Sequence, residues 1–202
     1  VMHFYTEEAC WPALQPLSDL LGSRATLLAK NSGSGPFDEC LSGAWWQLSE
    51  GLKNLGLDVP LPQGCKSTTI ELRGEADVTH AWAKEDARAL LSFMRLIGAI
   101  GATETPRIPP ALCQPTPLAG SETLTAPAPG IVVFATQVGQ RVSAGDLIAE
   151  VIDPIENQTY PVRAGVSGVF YARIRDRYIV SGGELGKIAG ATPFRTGDLL
   201  GA

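Results

Sequence analysis

The sequence predicts an α/β unit followed by a β-rich unit. Helix and strand patterns alternate over residues 1–105, which is typical of helices packed on a sheet. Prolines then crowd residues 106–120 and predict an extended linker, because proline removes backbone donors and favours open conformations. Residues 121–202 contain short β-rich runs separated by glycines, with no apolar stripe at helical spacing.

The charge and hydropathy patterns exclude two classes of partner. The chain carries 16 basic and 21 acidic residues, and a net charge of −5 argues against the basic surface of a nucleic-acid-binding protein. No apolar run approaches the roughly 20 residues that span a bilayer, and the first residues lack the pattern of a secretory leader. We therefore expect neither a nucleic acid nor a membrane as partner.

The cysteines indicate the cellular compartment, and the histidines limit the kind of metal site that the chain can form. The four cysteines are widely spaced and form no CxxC motif, so we expect reduced, mostly buried thiols in a cytoplasmic protein. A chain of 202 residues buries enough apolar surface to fold without disulfides. The only histidines are His3 and His80, so a histidine-rich metal site cannot be built from these residues alone.

The elements of the first unit follow from apolar spacing and from stop signals. A helix is expected over residues 7–22, interrupted by Pro12 and Pro16 and ended by Gly22. The later elements are a buried strand over 25–29, a helix over 39–55, a β-branched strand over 67–72 and a helix over 84–97 that ends at Gly98. His80 is expected to be an ordinary surface or helix-start histidine.

The second unit contains an internal repeat with a shift of 38 positions. Both copies read small-x-x-x-Gly-apolar and then Val-Ser-x-Gly-acid-Leu. The matched pairs include Ala126 with Ala164, Gly130 with Gly168, Ser143 with Ser181, Gly145 with Gly183 and Leu147 with Leu185. Two copies of one hairpin-like unit related by a pseudo-dyad would form a compact flattened barrel. The pattern resembles the lipoyl/biotinyl-type barrel-sandwich fold.

That resemblance raises a swinging-arm carrier hypothesis, which the sequence disfavours. A carrier needs a modifiable lysine on the exposed turn between the two halves, and residues 153–159 contain none. The only lysine after residue 84 is Lys187, which lies in the last strand of the second copy. A structural or lid-like β domain is the favoured interpretation.

The strand before Gly74 contains the most informative polar pair of the chain. Alternation points Ile70 and Leu72 to one face and Glu71 and Arg73 to the other, so the two charged side chains should project together. One interpretation is a surface ion pair. The other is a general base beside an anion clamp, which requires this pairing to lie in a cleft.

Several short motifs, taken in order, resemble the carboxy-terminal part of the succinylglutamate desuccinylase/aspartoacylase family of zinc carboxypeptidase-like deacylases. The resemblance covers nearly all 202 residues, including the proline crossing and the appended β domain. The matching segments are Val1-Met2-His3-Phe4-Tyr5-Thr6, Phe37-Asp38-Glu39, Trp45-Trp46, Ile70-Glu71-Leu72-Arg73-Gly74 and the closing Arg195-Thr196-Gly197-x-Leu199-Leu200. The fold implied is a partial zinc-carboxypeptidase-like α/β domain followed by a β-rich barrel-sandwich domain.

The resemblance implies a zinc-dependent amidohydrolase that removes an acyl group from an N-acyl amino acid or related amine. Glu71 matches the glutamate that takes a proton from water and passes it to the leaving amine. Arg73 is the candidate for holding a substrate carboxylate or the developing oxyanion, and His3 and Tyr5 are expected to line the cleft or contact substrate. One zinc ion is implied as cofactor, with no metal ligand among these residues. Its His-x-x-Glu and Asp-x-His ligands are expected upstream of Val1.

Two other classes of function stay open beside the family enzyme. The first is a non-catalytic binding protein that retains the scaffold, and the second is the disfavoured carrier domain. The expected partner is a small-molecule N-acyl amino acid or amine. Neither the acyl group, the amine nor the existence of a homo-oligomer is determined by the sequence.

Overall fold

A computed structural model describes residues 1–33, 35–101 and 103–200. Ser34, Ala102, Gly201 and Ala202 lie outside the described residues, and the last two belong to the predicted β domain. The chain divides into two compact units, one of residues 2–115 and one of residues 116–202 together with Val1. No helix in the described part is long and apolar enough to cross a membrane.

The first unit is built on a small mixed sheet. Its elements are β1 (His3–Glu7), α1 (Trp11–Leu21), β2 (Ala25–Ala29), α2 (Phe37–Asn54), β3 (Thr68–Glu71) and α3 (His80–Leu96). β1 lies between the other two strands, parallel to β2 and antiparallel to β3. The five expected elements are all present, with their ends displaced by a few residues.

Helix α1 departs from its expected form. It begins at Trp11, because Glu7 belongs to β1, and it runs through both prolines without a break. Pro12 lies in the first turn, where a backbone N–H would have no helical acceptor, so its missing donor costs little. Gly22 ends the helix in the left-handed conformation with φ of 67°, as the sequence predicts.

The two faces of this sheet have different coverings. Phe4 is fully buried on one face, in an apolar cluster to which α1 and α3 contribute. The members of that cluster are Met2, Phe4, Cys10, Leu14, Leu17, Leu21 and Ala89, with Leu20, Ile70 and Phe93 packed against it. Alternation along β1 sends Tyr5 and Glu7 to the opposite face, where α2 contacts Glu7.

The second unit contains two antiparallel sheets and one two-residue strand that belongs to neither of them. Its strands are β4 (Thr116–Pro117), β5 (Ser121–Thr125), β6 (Gly130–Phe134), β7 (Arg141–Val142), β8 (Leu147–Asp153), β9 (Gln158–Arg163), β10 (Gly168–Arg173), β11 (Tyr178–Ile179) and β12 (Glu184–Gly190). The sheet orders are β5-β12-β10-β7 and β11-β6-β8-β9. Within the described residues of this unit, neither sheet closes into a barrel.

The internal repeat corresponds to the arrangement of these sheets. Exchanging β5–β8 for β9–β12 converts the order β5-β12-β10-β7 into β9-β8-β6-β11, which is the second sheet read from its other end. Glycines at matching positions of the two copies both allow a close approach between strands. A Cβ on Gly130 would lie 2.4 Å from the carbonyl oxygen of Ile152, and one on Gly168 would lie 2.2 Å from that of Ala189. Only glycine permits both close strand approaches.

The prediction of mostly buried thiols is wrong. All four cysteines are free, but only Cys10 is buried, while Cys40 is exposed and the other two are half-buried. Cys10 is buried because it immediately precedes α1 and faces the apolar cluster of the first unit. Cys40 lies on α2, whose outer surface is exposed.

Candidate functional site

The antiparallel pairing of β1 and β3 brings three of the four predicted site residues together. His3 lies opposite Glu71 and Tyr5 lies opposite Thr69. Directly opposed residues of an antiparallel pair place their side chains on the same face. Glu71, His3 and Tyr5 therefore share one face of the sheet, the face turned away from Phe4.

The rings of His3 and Tyr5 form an edge-to-face pair on this face. Their centroids are 5.4 Å apart and their planes are inclined by 74°, an arrangement that aromatic rings favour. His3 is buried, with 7% of its surface exposed, whereas Glu71 is exposed. The Glu71 carboxylate, which water can reach, therefore lies beside two rings that can contact a bound molecule.

A buried carboxylate lies next along the same face. The hydroxyl of Thr69 donates a hydrogen bond of 2.9 Å to Oδ1 of Asp38, in the first turn of α2. Asp38 is 2% exposed, and its burial raises the pKa of its carboxyl, an effect that the Thr69 hydrogen bond partly offsets. Asp38 thereby ties α2 to β3 two residues before Glu71.

A second buried carboxylate, that of Glu7, ties α2 to β1. Its Oε1 accepts a hydrogen bond of 2.5 Å from Nε1 of Trp46, and its Oε2 accepts one from the hydroxyl of Ser42. Glu7 is 1% exposed, and α2 supplies one hydrogen-bond donor to each of its two carboxylate oxygens. A Cβ on Gly43 would lie 3.2 Å from Oε1 of Glu7, so glycine lets the helix approach closely.

The expectation that Arg73 projects beside Glu71 is wrong. The strand ends at Glu71, and the N–H of Arg73 donates to the carbonyl of Glu71 at 2.9 Å, closing a tight turn centred on Leu72. Arg73 adopts φ of 76°, outside strand geometry. Leu72 is also 54% exposed, whereas Ile70 is half-buried, because alternation stops where the turn begins.

Arg73 instead binds helix α3. Its guanidinium makes two hydrogen bonds to the carboxylate of Asp86, of 2.8 and 3.0 Å, and lies 5.0 Å from the ring centroid of Trp82. The hydrogen bond to Asp86 is the main cause that raises the pKa of Arg73. Since α3 packs on the Phe4 side of the sheet, Arg73 lies on the side opposite Glu71.

Arg73 lines an open groove of about 560 Å³ on the α1–α3 side. Apolar side chains from α1 and from residues 109–112 form part of its wall. The charged residues along it are Asp19, Arg73, Glu85, Asp86 and Arg88. Burial raises the pKa of the Asp19 carboxyl.

Sequence reasoning assigned no site role to Asp38, Thr69 or Glu7. Asp38 stood in one of the motifs that carry the family resemblance, and acidic residues in the first turn of a helix were a usable signal. For Glu7 the only signal was its place in β1, at the end of an alternating run. Neither pattern predicts the partner of the carboxylate, because those partners lie far away in the sequence.

The residues described by the structure do not form a zinc ligand set. Across 1–33, 35–101 and 103–200, no group of three or more histidine, cysteine, aspartate or glutamate side chains could hold a metal ion. His80 is exposed at the start of α3, as expected, and far from His3 in sequence. The present residues therefore do not fit the implied zinc on their own.

Comparison with solved structures identifies the fold. A protein from Shewanella amazonensis SB2B, provisionally described as a succinylglutamate desuccinylase/aspartoacylase family member, matches with a TM-score of 0.79 and 24% identity over 93% of this chain. The chain has the desuccinylase/aspartoacylase fold. The match covers 50% of the Shewanella amazonensis chain.

Two further solved structures are similar to the chain. A protein from Shewanella frigidimarina NCIMB 400 with the same provisional description has a TM-score of 0.77 and 23% identity, and the match covers 94% of this chain and 50% of that one. The apo ectoine utilization protein EutE (DoeB) from Ruegeria pomeroyi has a TM-score of 0.64 and 16% identity, over 95% of this chain and 55% of that one. The chain thus spans about half the length of the structures it matches.

No protein-family model and no curated protein matches the chain.

Proposed function

We propose that these residues form part of an amide-hydrolysing deacylase in which Glu71 transfers the proton. One observation carries the proposal: in the desuccinylase/aspartoacylase fold, β3 presents an exposed Glu71 directly opposite His3 and beside Tyr5. Several neighbours in fold are described as desuccinylases or aspartoacylases. The substrate class proposed is an N-acyl amino acid or related amine.

Glu71 has the exposure that a general base needs. Its carboxylate is accessible to water, so it can accept a proton from an attacking water molecule and later deliver that proton to the leaving amine. His3 and Tyr5 lie on the same face and carry an imidazole and a phenol that can hydrogen-bond to a bound substrate. We assign substrate contact to these two residues.

Arg73 is a weaker candidate for substrate binding. Two of its N–H groups are engaged by Asp86, which leaves three of the five donors of a guanidinium for another acceptor. Those donors lie on the α1–α3 side of the sheet, away from Glu71. A substrate carboxylate at Arg73 would therefore occupy the groove rather than the Glu71 face.

Zinc dependence is part of the proposal for the whole protein. The described residues supply no three-ligand set, so we derive no chemical step through a zinc ion. Cytoplasmic location and a barrel-sandwich architecture for residues 121–202 likewise stay predictions.

A second candidate is a binding protein that retains the scaffold without catalysis, and the paired rings of His3 and Tyr5 are the observation that favours it. Such a protein would use His3 and Tyr5 to hold a small molecule and would have no need of a base at residue 71. A lysine-modified carrier has less support, because Lys187 lies in β12 and pairs with Glu184 at 3.3 Å.

The test measures amine release by the protein that carries these 202 residues, with N-succinylglutamate and N-acylaspartate as substrates. Glu71→Gln is expected to lower turnover by about 10²–10⁴, because it keeps size and hydrogen bonding but removes the base. Glu156→Gln, on the exposed hairpin between β8 and β9, is the matched control and should keep parental turnover. Near-parental turnover of Glu71→Gln would eliminate Glu71 as the base. Substrate binding without turnover in the parent would favour the scaffold protein.

A further inference from the structure

The Glu71 side chain has no hydrogen-bond or ion-pair partner in the described part of the chain. Its position therefore depends on the backbone of β3, and this backbone lies where the sheet is least supported. Among the described residues β3 pairs with β1 alone, and Glu71 with His3 is the last pair of that ladder. The end of an edge strand opens readily, so something else must hold Glu71 in place.

Side chains fasten the first half of β3 but not its end. The hydroxyl of Thr68 donates a hydrogen bond of 2.8 Å to the carbonyl of Tyr5 on β1. The hydroxyl of Thr69 donates to Asp38 on α2 at 2.9 Å. Both contacts lie before Glu71, so neither fixes the residue at which the strand stops.

We propose that Arg73 is a positioning residue for Glu71, an inference that rests on the proposed role of Glu71 as the base. The main-chain N–H of Arg73 donates to the carbonyl of Glu71 at 2.9 Å. Its guanidinium binds Asp86 through two hydrogen bonds and lies 5.0 Å from the ring centroid of Trp82. Arg73 thus joins the end of β3 to helix α3, on which Trp82 and Asp86 are neighbours four residues apart.

Helix α3 is a firm support for this link. Its N-terminal end is capped by the hydroxyl of Thr79, which accepts the N–H of Trp82 at 3.1 Å, and Ala89 packs in the apolar cluster of the first unit. The side chains of Arg73 and Asp86 are each only 16% exposed. A bidentate contact between a guanidinium and a carboxylate fixes orientation as well as distance. The turn after Glu71 is therefore held by a helix that is packed into the core.

The backbone of Arg73 needs this support. Its φ of 76° is uncommon for a residue other than glycine, and such a conformation persists only where surrounding contacts hold it. Without the contacts of the guanidinium, we expect the residue to leave this conformation and to lose its hydrogen bond to Glu71. The pair of Glu71 and His3 would then open. A shift of about 1 Å at a reacting group is enough to slow a reaction about 10²-fold.

Steady-state kinetics of the protein that carries these 202 residues test the link, with the substrates named for Glu71→Gln. Arg73→Ala and Asp86→Ala should each lower kcat about 10–100-fold and leave KM within about twofold, because they move the base without touching the substrate. Arg73→Lys should lie between the parent and Arg73→Ala, since an ammonium keeps one charged contact to Asp86. Glu50→Ala is the matched control: it removes the carboxylate of an exposed ion pair with Lys30 and should keep parental kcat.

Hydrogen exchange measures the same link in the 202-residue chain without any turnover. The Arg73 amide should exchange about tenfold or more faster in Asp86→Ala than in the parent, because the turn that protects it opens locally. The amide of Leu17, in α1, should exchange equally in both. Circular dichroism checks that each variant is folded. If Arg73→Ala does not fold, Arg73→Gly replaces it, since glycine adopts a positive φ without strain and still lacks the contact to Asp86.

Three outcomes would overturn the role of Arg73. They are parental kcat and parental exchange in Asp86→Ala, a rise in KM alone in the Arg73 variants, which would indicate direct substrate contact, or an equal loss of kcat in Glu50→Ala. Glu71→Gln is measured in parallel to separate the two proposals. A large loss in Glu71→Gln with parental kcat in Asp86→Ala removes only the role of Arg73, whereas near-parental turnover of Glu71→Gln removes the proposed function itself.

Discussion

Glu71 and His3 are directly opposed across the β3–β1 pair, although they lie 68 positions apart in the sequence. The same face carries Glu7, four residues further along β1, so it presents one exposed and one buried glutamate. The two glutamates differ in what holds them. Glu7 is bound by Trp46 and Ser42, whereas Glu71 lies open to water.

Glu7→Gln should lower the free energy of unfolding by about 1.5–3 kcal/mol. The NH2 group of the glutamine would face a hydrogen-bond donor of α2 in place of a carboxylate oxygen. One charge-assisted hydrogen bond in a buried site is therefore lost. Glu71→Gln makes the same chemical change on the same face and should stay within about 0.5 kcal/mol of the parent. Chemical denaturation of the three proteins measures the contrast. Equal stabilities for the two variants would show that the buried contacts of Glu7 contribute nothing.

The stability difference between the parent and Asp38→Asn should depend on pH. Burial raises the pKa of Asp38, so the folded state keeps this proton to a higher pH than the unfolded state does. The stability of the parent relative to Asp38→Asn is therefore greatest below the ordinary aspartate pKa of about 3.9. This advantage decreases as pH rises through the raised pKa of the folded state. Thr69 can still donate to the asparagine oxygen, so that contact is matched.

Urea titrations at several pH values between about 3 and 7 measure this difference, since they begin below the ordinary aspartate pKa of about 3.9 and extend well above it. A parent that gains stability relative to Asp38→Asn as pH rises would contradict the burial argument. A difference independent of pH would show that Asp38 titrates alike in both states.

The ion pair between Arg73 and Asp86 should stabilise the protein more than an exposed pair does. Both side chains are 16% exposed and the contact is bidentate, so a double-mutant cycle with Arg73→Ala and Asp86→Ala should give a coupling of about 1–3 kcal/mol. The control is Lys30 with Glu50, whose side chains are 60% and 52% exposed and whose coupling should stay below about 1 kcal/mol. Similar couplings for the two pairs would contradict the prediction.

The 202-residue chain by itself should neither bind zinc at one equivalent nor hydrolyse N-acyl amino acids. With only two histidines and no His-x-x-Glu, it lacks the three protein ligands of a catalytic zinc site. Elemental analysis after dialysis, together with an assay for amine release, tests both statements. Stoichiometric zinc or substantial turnover with these residues alone would overturn the prediction and place the catalytic ligands within the chain.

The sequence by itself determined the features that depend on neighbouring residues. The stop of α1 at Gly22 and that of α3 near Gly98 follow from the left-handed conformation that glycine adopts readily. The 38-residue shift predicted two equivalent halves, and the two sheets have equivalent strand orders because similar local sequences form similar hairpins. Alternation along β3 placed Glu71 on the face away from Ile70.

Only the tertiary structure decided which side chains meet. Alternation could not show that β3 ends at Glu71, since the turn that follows is completed by the binding of Arg73 to Asp86 on α3, the next helix in the chain. The burial of Asp38 and Glu7 likewise depends on α2 packing against β1 and β3. Apolar spacing predicted α2 without showing that one of its faces is exposed, because periodicity defines a helical stripe and distant contacts decide what covers it.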